Sequence, residues 1–445
     1  MVSKSRTDSS SSSLVLSKSF SFILSRERVA LINLGCARNL VDSEMILGRL
    51  KAAGARIVPV ESADTVIINT CAFVIDAKKE TIDTLHEVID LKKHHKIKKI
   101  IALGCFAKRY ADIFKKEFPE IDYVFGTLPL LKDTNVPRVS LTPLWYTYLK
   151  ICESCYNHCS FCAIPGIKGK FSSREMKTIL HEVKALDVRG VKEINIIGQD
   201  ITAYGFDLGG QNTLAVLLKN ILAQVKNIRW IRLLYAFPGH ITDDLLDLMA
   251  KESRICPYMD LPLQHISDRI LASMNRKFSQ KQTRTLIEKI RKKMPQCSLR
   301  TAFIVGYPGE TEEEFQELCQ FVRDVRFDHV GVFAYSQEEG TRAAQMNNQI
   351  PGRIKQARYN TLMKIQQPIS AQKLKRFVGE TLEVLIEEKK ERNLFIGRSR
   401  YDAPEVDGVV YVQSKNSHKL GSLIKARVID SLEYDLIAQD GAGNA

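Results

Sequence analysis

The sequence has no run of 18 or more apolar residues, and its most apolar early segment, Ser21 to Leu24, is too short for the core of a signal peptide. A membrane-spanning helix and an export signal are thereby excluded. Compositional extremes are also missing: 44% hydrophobic and 26% charged residues argue against wholesale disorder, a collagen-like chain or a coiled coil. Acidic residues are the scarcer charge, 51 against 65 basic ones, and the formal net charge of +14 favours an acidic partner such as nucleic acid or a ribonucleoprotein surface. The 445 residues allow about three domains at roughly 150 residues each. Ten cysteines without an export signal point to a reducing compartment, hence a cytoplasmic protein whose thiols serve as metal ligands more readily than as disulfides.

Residues 1–27 form a Ser-rich tail. Its first 25 residues hold eleven serines and one acidic residue, a composition that cannot bury a core and is expected to be disordered. The tail is read as a ragged tail or an early start codon, or alternatively as an organelle transit peptide, whose Arg-rich amphipathic pattern it lacks. From Arg28 the pattern is strand, loop, helix, repeated. Val29 to Leu34 precedes a helix over Val41 to Ala53, Val66 to Ile68 one over Ala77 to Leu91, and Ile100 to Leu103 one over Ala107 to Phe118. Apolar strands alternating with helices imply an open parallel α/β domain, placed at residues 28–135.

A second series, placed at residues 145–377, has strand candidates at Thr147 to Ile151, Glu193 to Ile197, Trp230 to Leu234, Tyr258 to Leu263, Leu299 to Val305 and Val330 to Tyr335. Helices are expected between them, including Gln280 to Lys293 and Glu312 to Val325. Six βα units suit a partial (β/α)6 barrel, whose chemistry lies at the carboxyl ends of its strands. A basic helix from Arg353 to Phe377, interrupted or kinked at Pro368, closes the domain. Residues 378–442 switch to period two, with strands at Glu380 to Ile386, Val409 to Val412 and Ser422 to Val428, and read as a small OB-like β-barrel.

Cys155, Cys159 and Cys162 form CxxxCxxC directly after the first strand of the six-unit series. A 4Fe–4S cube normally takes four thiolates, so three leave one iron open to a substrate or cofactor. With Cys152 the run becomes CxxCxxxCxxC, and the alternative is a structural zinc site. Four ligands within eleven residues lack the long spacer usual between the two pairs of such a site. Cys36, Cys71 and Cys105 follow VALINLG, TVIINT and KKIIALG at intervals of 35 and 34 residues. Each stands where a parallel strand hands over to its helix, the edge at which open α/β sheets bind ligands. A second open cluster is the reading of that placement; three buried core cysteines are the alternative. Cys256, Cys297 and Cys319 have no partners at ligand spacing and read as structural.

The segment YLKICESCYNHCSFCAIPGIKGKFSSRE resembles the cluster loop of the radical SAM enzymes, in which the open iron binds S-adenosylmethionine. With the other three cysteines, the chain from about residue 28 to 440 is similar to the methylthiotransferases of that superfamily, whose parts are an amino-terminal cluster domain, a radical SAM domain and a TRAM β-barrel. GCARNLVDSE, IIGQDITAYG, YMDLPLQHIS and FIVGYPGETEEEF resemble the branch that modifies an aspartate of the twelfth protein of the small ribosomal subunit, more than the branch acting on transfer RNA adenosine. Cys152 and Ser154 depart from the family, which usually has a small residue and a glycine there.

The resemblance implies two 4Fe–4S clusters, one on Cys155, Cys159 and Cys162 and one on Cys36, Cys71 and Cys105, with S-adenosylmethionine as cosubstrate. The first would generate a 5′-deoxyadenosyl radical that takes a hydrogen from the substrate; the second would carry the sulfur. An electron donor such as flavodoxin or ferredoxin is implied as well. Phe161, Gln199, Asp200, Gln264 and Gly306 are placed to meet the cofactor, whereas His265 reads as structural as readily as functional and is given no acid–base role. Residues 378–445 hold nine Lys or Arg against twelve Asp or Glu, so the terminal barrel is either a dock for a basic ribosomal protein or an ordinary solvated surface. The basic helix and the run KKHHKIKK from Lys92 are expected either to touch ribosomal RNA or to be solvated faces. A non-catalytic iron–sulfur sensor or RNA-binding protein is the reading from another class; it has no need of a barrel mouth.

Overall fold

A computed structural model describes residues 26–127, 138–209 and 213–441. The Ser-rich tail, the end of the first expected domain and the last residues of the third lie outside them. The described chain divides into two compact units, one running up to Leu141 together with Ile164–Gly169, the other comprising the rest.

In the first unit, β1 (Arg28–Asn33), β2 (Arg56–Ile57), β3 (Thr65–Thr70), β4 (Lys99–Gly104) and β5 (Tyr123–Val124) form a parallel sheet in the order β2-β1-β3-β4-β5. The central strand TVIINT is buried along its whole length, as a strand covered on both faces must be. Helix α1 (Ala37–Ala52) follows β1 and buries Val41, Met45, Ile46 and Leu50; α2 (Ile75–Lys93) follows β3 and buries Leu85, Val88 and Ile89. The helix expected over Ala107 to Phe118 is instead two, α3 (Cys105–Arg109) and α4 (Ala111–Glu117), because Tyr110 at φ −122° leaves the helical region. The short helix α5 (Ile164–Lys168) belongs to this unit, with Lys168 ion-paired to Asp42 at 3.5 Å.

The second unit contains the six expected parallel strands, β6 (Tyr146–Lys150), β9 (Glu193–Ile197), β10 (Trp230–Leu233), β11 (Tyr258–Gln264), β12 (Ser298–Val305) and β13 (His329–Ala334). A two-residue pair, β7 (Cys152–Glu153) with β8 (Ser172–Ser173), flanks the loop after β6. The six strands make two three-stranded sheets, β10-β9-β6 and β11-β12-β13, joined by the single bridge Ile231–Ile255. Helices α6 (Met176–Val188), α7 (Leu214–Gln224), α8 (Asp243–Lys251), α9 (Asp268–Ser273), α10 (Gln280–Lys293) and α11 (Glu312–Val325) separate the strands. One continuous core runs between strands and helices, from Leu149 and Ile194 to Phe321 and Leu362.

Helix α12 (Gly352–Leu374) passes through Pro368 without interruption. A proline there removes one helical hydrogen bond, but tertiary bonds hold the segment: Gln366 donates to the Phe327 carbonyl at 2.9 Å and Ser370 to that of Asp328 at 3.0 Å. The carboxy-terminal strands number five rather than three. β14 (Thr381–Glu391), β15 (Leu394–Ser399), β16 (Val410–Gln413), β17 (Leu423–Ser431) and β18 (Leu436–Asp440) close into a barrel in the order β14-β15-β16-β18-β17.

This small barrel is locked to the amino-terminal ends of the parallel strands by charges that have left water. Glu193, at 0% exposure, accepts from Arg232 at 2.9 Å and from Arg398 of β15 at 2.7 Å; Arg398 also pairs with Glu387 at 2.8 Å. Around that centre, Tyr146 and Tyr148 donate to Glu405 at 2.9 and 3.2 Å, Tyr258 to Asp407 at 2.6 Å and Trp230 to Glu383 at 3.0 Å. Glu383, Glu387, Glu405 and Asp407 thus face the parallel strands, so the acidic balance of the small barrel is in large part turned inward and measures its free surface poorly. That weakens the reading of the barrel as an acidic dock.

Candidate functional site

Three strand ends of the first unit bring its cysteines together. Cys36 stands at the start of α1, Cys71 directly after β3, and Cys105 opens α3. A side chain at Gly35 would place its Cβ 2.7 Å from the Cys71 sulfur, so only glycine lets the first strand end come this close to the second. Buried amides tie the three ends: Asn39 donates to the carbonyls of Leu34 at 3.0 Å and Thr70 at 3.2 Å, and its oxygen lies 3.9 Å from the Cys105 sulfur. Asn69 donates to the Asn39 carbonyl at 2.9 Å, and Thr81 brackets Cys71 through both its N–H and its C=O. Burial pushes the Cys105 thiol up to about 12, with Cys36 and Cys71 adding to the rise. Burial acts on Cys36 too, but Arg38 and the backbone N–H groups at the helix start outweigh it and leave that thiol below its ordinary value. Because ligation needs thiolates, loading such a site releases protons.

In the second unit, Ser154 takes a φ of +60°, a left-handed conformation that glycine, expected here from the resemblance, would adopt without strain. The chain then turns into the loop holding Cys155, Cys159 and Cys162, at the carboxyl end of β6. A neighbouring strand end and the end of helix α9 grip it. Asp200, 1% exposed and just beyond β9, accepts from Asn157 at 2.8 Å and from His240 at 2.8 Å through one oxygen, and from the N–H and hydroxyl of Thr202 through the other. On the opposite side Ser160 is held to the Ser273 and Met274 carbonyls at 2.7 and 3.0 Å, and Asn275 donates to the His158 carbonyl at 2.6 Å. Tyr156, Phe206, Phe237 and His240 form an aromatic group beside the loop, with centroid distances of 4.7 to 5.2 Å from Tyr156 to Phe206, Phe206 to His240 and Phe237 to His240. Burial pushes the Cys155 thiol up to about 11.

The residues expected to meet the cofactor have different surroundings. Gln199 has a buried side-chain oxygen with no hydrogen-bond partner, an acceptor left open at the strand end. Gln264 ends β11 at φ +74°, and Tyr235 just beyond β10 has φ +66°, so two adjacent strand ends carry backbone strain of the kind found where ligands are held. Phe161 packs against Ile270, Met274, Tyr307, Tyr335 and Ala343. Asp200 is saturated by protein donors and positions the loop. Gly306 serves its own turn: its N–H donates to Glu310 and its φ is +70°. Glu310 in turn accepts from His265 at 3.3 Å and Arg358 at 3.1 Å, which makes His265 a buried structural histidine. Cys256, Cys297 and Cys319 are buried as expected. Asn39, Asn69, Asn157 and His240 escaped sequence reasoning; the first three adjoin cysteines in the chain, a signal that adjacency alone could have raised.

Three cysteines at strand ends could each hold one iron of a cube. A tetrahedral zinc site needs thiolates about 3.8 Å apart, the edge set by Zn–S bonds of ~2.3 Å. Among the described residues no three His, Cys, Asp or Glu side chains gather as a site for a single ion, whereas a cube takes each thiolate on a separate iron. Cys152, the fourth thiol of the zinc alternative, is fully buried in the apolar core with its sulfur 3.6 Å from the Asp200 carbonyl. It fits there because a Cβ at Gly198 would lie only 2.3 Å from that sulfur. Gly198→Ala should therefore destabilise the protein by ~1–3 kcal/mol through overpacking, and Cys152→Ala in the same chain should recover most of the loss in denaturant melts. Cys152→Ala alone should keep the wild-type iron content; lost iron would make Cys152 a ligand.

Residues 28–126 match an uncharacterized protein family, UPF0004, residues 149–322 the radical SAM superfamily, and residues 378–439 the TRAM domain. The chain is 43% identical over 439 residues to the ribosomal protein uS12 methylthiotransferase RimO of Desulforamulus reducens, spanning 92% of this chain and 99% of that one. It is 44% identical over 425 residues to the protein of the same name from Aquifex aeolicus, spanning 93% and 97%. Among solved structures, the apo form of the cobalamin-dependent S-adenosylmethionine radical enzyme OxsB aligns with a TM-score of 0.50 at 11% identity, covering 78% of this chain and 56% of that one, a likeness of fold alone. Membership of the radical SAM superfamily brings a 4Fe–4S cluster and S-adenosylmethionine as cofactors. With identity above 40% along nearly its whole length, and with cysteines at the strand ends of both units, the chain belongs to the family of ribosomal protein uS12 methylthiotransferases, RimO.

Proposed function

We propose that this chain adds a methylthio group to the β-carbon of an aspartate in the small-subunit ribosomal protein uS12, with Cys155, Cys159 and Cys162 holding one open 4Fe–4S cluster and Cys36, Cys71 and Cys105 a second. The observation that carries the reading is the three-cysteine loop held at the carboxyl ends of the parallel strands beside the unpartnered amide oxygen of Gln199. When bound, the first cluster and S-adenosylmethionine supply one-electron hydrogen abstraction from an unactivated carbon, and the second cluster supplies sulfur. The protein's own part is placement. Asp200 and the carbonyls of Ser273 and Met274 fix the loop from two sides, Gln199 and Gln264 offer polar groups to the cofactor, and Phe161 stands next to the last ligand. Asn39 and Asn69 fix the three strand ends of the other unit. Such pre-set geometry is worth several kcal/mol of the barrier in reactions that bring two partners together. A flavodoxin or ferredoxin in the cytoplasm is the expected electron source. In the basic segment Arg353 to Phe377, Arg358 and Arg376 are ion-paired within the unit, and the exposed Arg353, Lys364 and Lys375 are the candidates for contact with ribosomal RNA.

The test is mass spectrometry of uS12 incubated with the reconstituted enzyme, reductant, sulfide and S-adenosylmethionine. Wild type should add one methylthio group to an aspartate. The triple variant of Cys36, Cys71 and Cys105 to alanine should add none while still releasing 5′-deoxyadenosine. Product on transfer RNA adenosine with uS12 untouched would refute the substrate; full methylthiolation by the triple variant would refute the second cluster's role.

A further inference from the structure

Arg276 lies just beyond α9, in the same Ser273–Arg276 segment whose carbonyls and Asn275 amide hold the cysteine loop. It is 9% exposed. One guanidinium nitrogen is 3.8 Å from the Cys159 sulfur, the other donates to the Pro262 carbonyl within β11, and the charge sits 4.5 Å over the Phe237 ring. Among the described residues no carboxylate comes within ion-pair distance of it, although the other deeply buried arginines, Arg174, Arg232, Arg358 and Arg398, all have one. Burying a cation is costly unless an anion offsets it. The ring quadrupole over Phe237 supplies a small part of that compensation. The remaining candidate is Cys159.

We infer that Arg276 is the fixed counter-cation of the cluster on Cys155, Cys159 and Cys162, a positioning residue that favours the cluster's reduced state. The inference rests on the reading of those cysteines as cluster ligands. A neutral thiol gives a buried guanidinium little, whereas a thiolate on a cube gives it a charge-assisted hydrogen bond. Adding one electron to the cube makes its thiolate side more negative, and a cation fixed beside Cys159 stabilises that state more than the oxidised one. The electron comes from the external reductant and stays on the cube; Arg276 exchanges neither proton nor electron. Hydrogen bonds to the sulfurs and nearby charge are established determinants of such potentials. Arg276 also links Cys159 to the Pro262 carbonyl, so the charge is anchored to a strand rather than to a mobile loop.

The experiment is a dithionite titration, followed by electron paramagnetic resonance, of the reconstituted full chain as wild type, Arg276→Gln and Arg276→Lys, with iron measured in each. Arg276→Gln should keep its iron and make reduction of the S-adenosylmethionine-responsive cluster about tenfold less favourable, a midpoint ~59 mV lower for one electron. Arg276→Lys should stay close to wild type. An unchanged midpoint in Arg276→Gln with full iron overturns the inference. Should Arg276→Gln lose the cluster, the lysine variant decides: restored iron and midpoint support the charge, and loss in both variants assigns Arg276 to the fold and overturns it. Wild type without a cluster that responds to S-adenosylmethionine would instead refute the ligand reading beneath it.

Discussion

Replacing Cys155, Cys159 and Cys162 together by alanine should abolish S-adenosylmethionine cleavage and lower bound iron from about eight to about four per chain, since each cube holds four irons. The remaining half is expected because the first unit provides its own three thiols, on strand ends that share no residue with the loop of the second. The variant should fold: the loop's other anchors, Asn157 on Asp200 and Ser160 on the Ser273 and Met274 carbonyls, do not pass through sulfur. Iron assay and chromatography of 5′-deoxyadenosine read the two effects separately. Undiminished iron would refute the assignment of these three thiols, and surviving cleavage would place the radical chemistry elsewhere in the chain.

Glu193→Ala should cost about 3–5 kcal/mol, the usual penalty for removing one partner of a buried ion pair. Two guanidinium groups depend on this carboxylate, Arg232 at 0% side-chain exposure and Arg398 at 2%. Burial pushes the Glu193 carboxyl up, but Arg398 and Arg232 together outweigh burial and hold it below its ordinary value. A depressed carboxyl stabilises the fold above the ordinary glutamate range, and that contribution disappears as pH falls through the lowered folded value. Denaturant melts at neutral pH should show the full difference between wild type and variant, and the gap should narrow in strong acid. A difference under about 1 kcal/mol at neutral pH would mean that Arg398 finds enough compensation in Glu387 and in the Asp402 carbonyl.

Helix limits were legible where side chains cap the backbone. The expected bounds Gln280 to Lys293 and Glu312 to Val325 are those observed, and both helices open on reciprocal caps, Ser279 with Gln282 and Thr311 with Glu314. Strands β15 and β18 escaped notice for the opposite reason. β15 carries Gly397 and the buried Arg398, and β18 reads LIAQD, so neither shows clean alternation of apolar and polar residues. The passage of α12 through Pro368 was hidden because the bonds that compensate come from residues near position 328. In the sites, the placement of Cys36, Cys71 and Cys105 after their strands was legible in the sequence. The residues that hold the cysteine loop of the second unit were not: Asp200 reaches Asn157 across 43 positions and Arg276 reaches Cys159 across 117. At Gly306 a glycine-rich turn at a strand end looks the same in sequence whether its N–H meets a ligand or, as here, the carboxylate of Glu310.

The position of β18 bears on how the protein is made. It pairs with β16 on one side in parallel and with β17 on the other antiparallel, so it is the stave that closes the ring although it is the last of the five in chain order. A nascent chain whose synthesis has reached β17 still presents two open strand edges, on β16 and β17, and such edges recruit strands from other chains. Until Leu436–Asp440 has left the ribosome the ring cannot shut, and Arg398, carried on β15, lacks a finished scaffold from which to meet Glu193. A ribosome that pauses between β17 and β18 would therefore hold a chain with both edges exposed to aggregation, and a chaperone acting on this protein would have most to do at that moment.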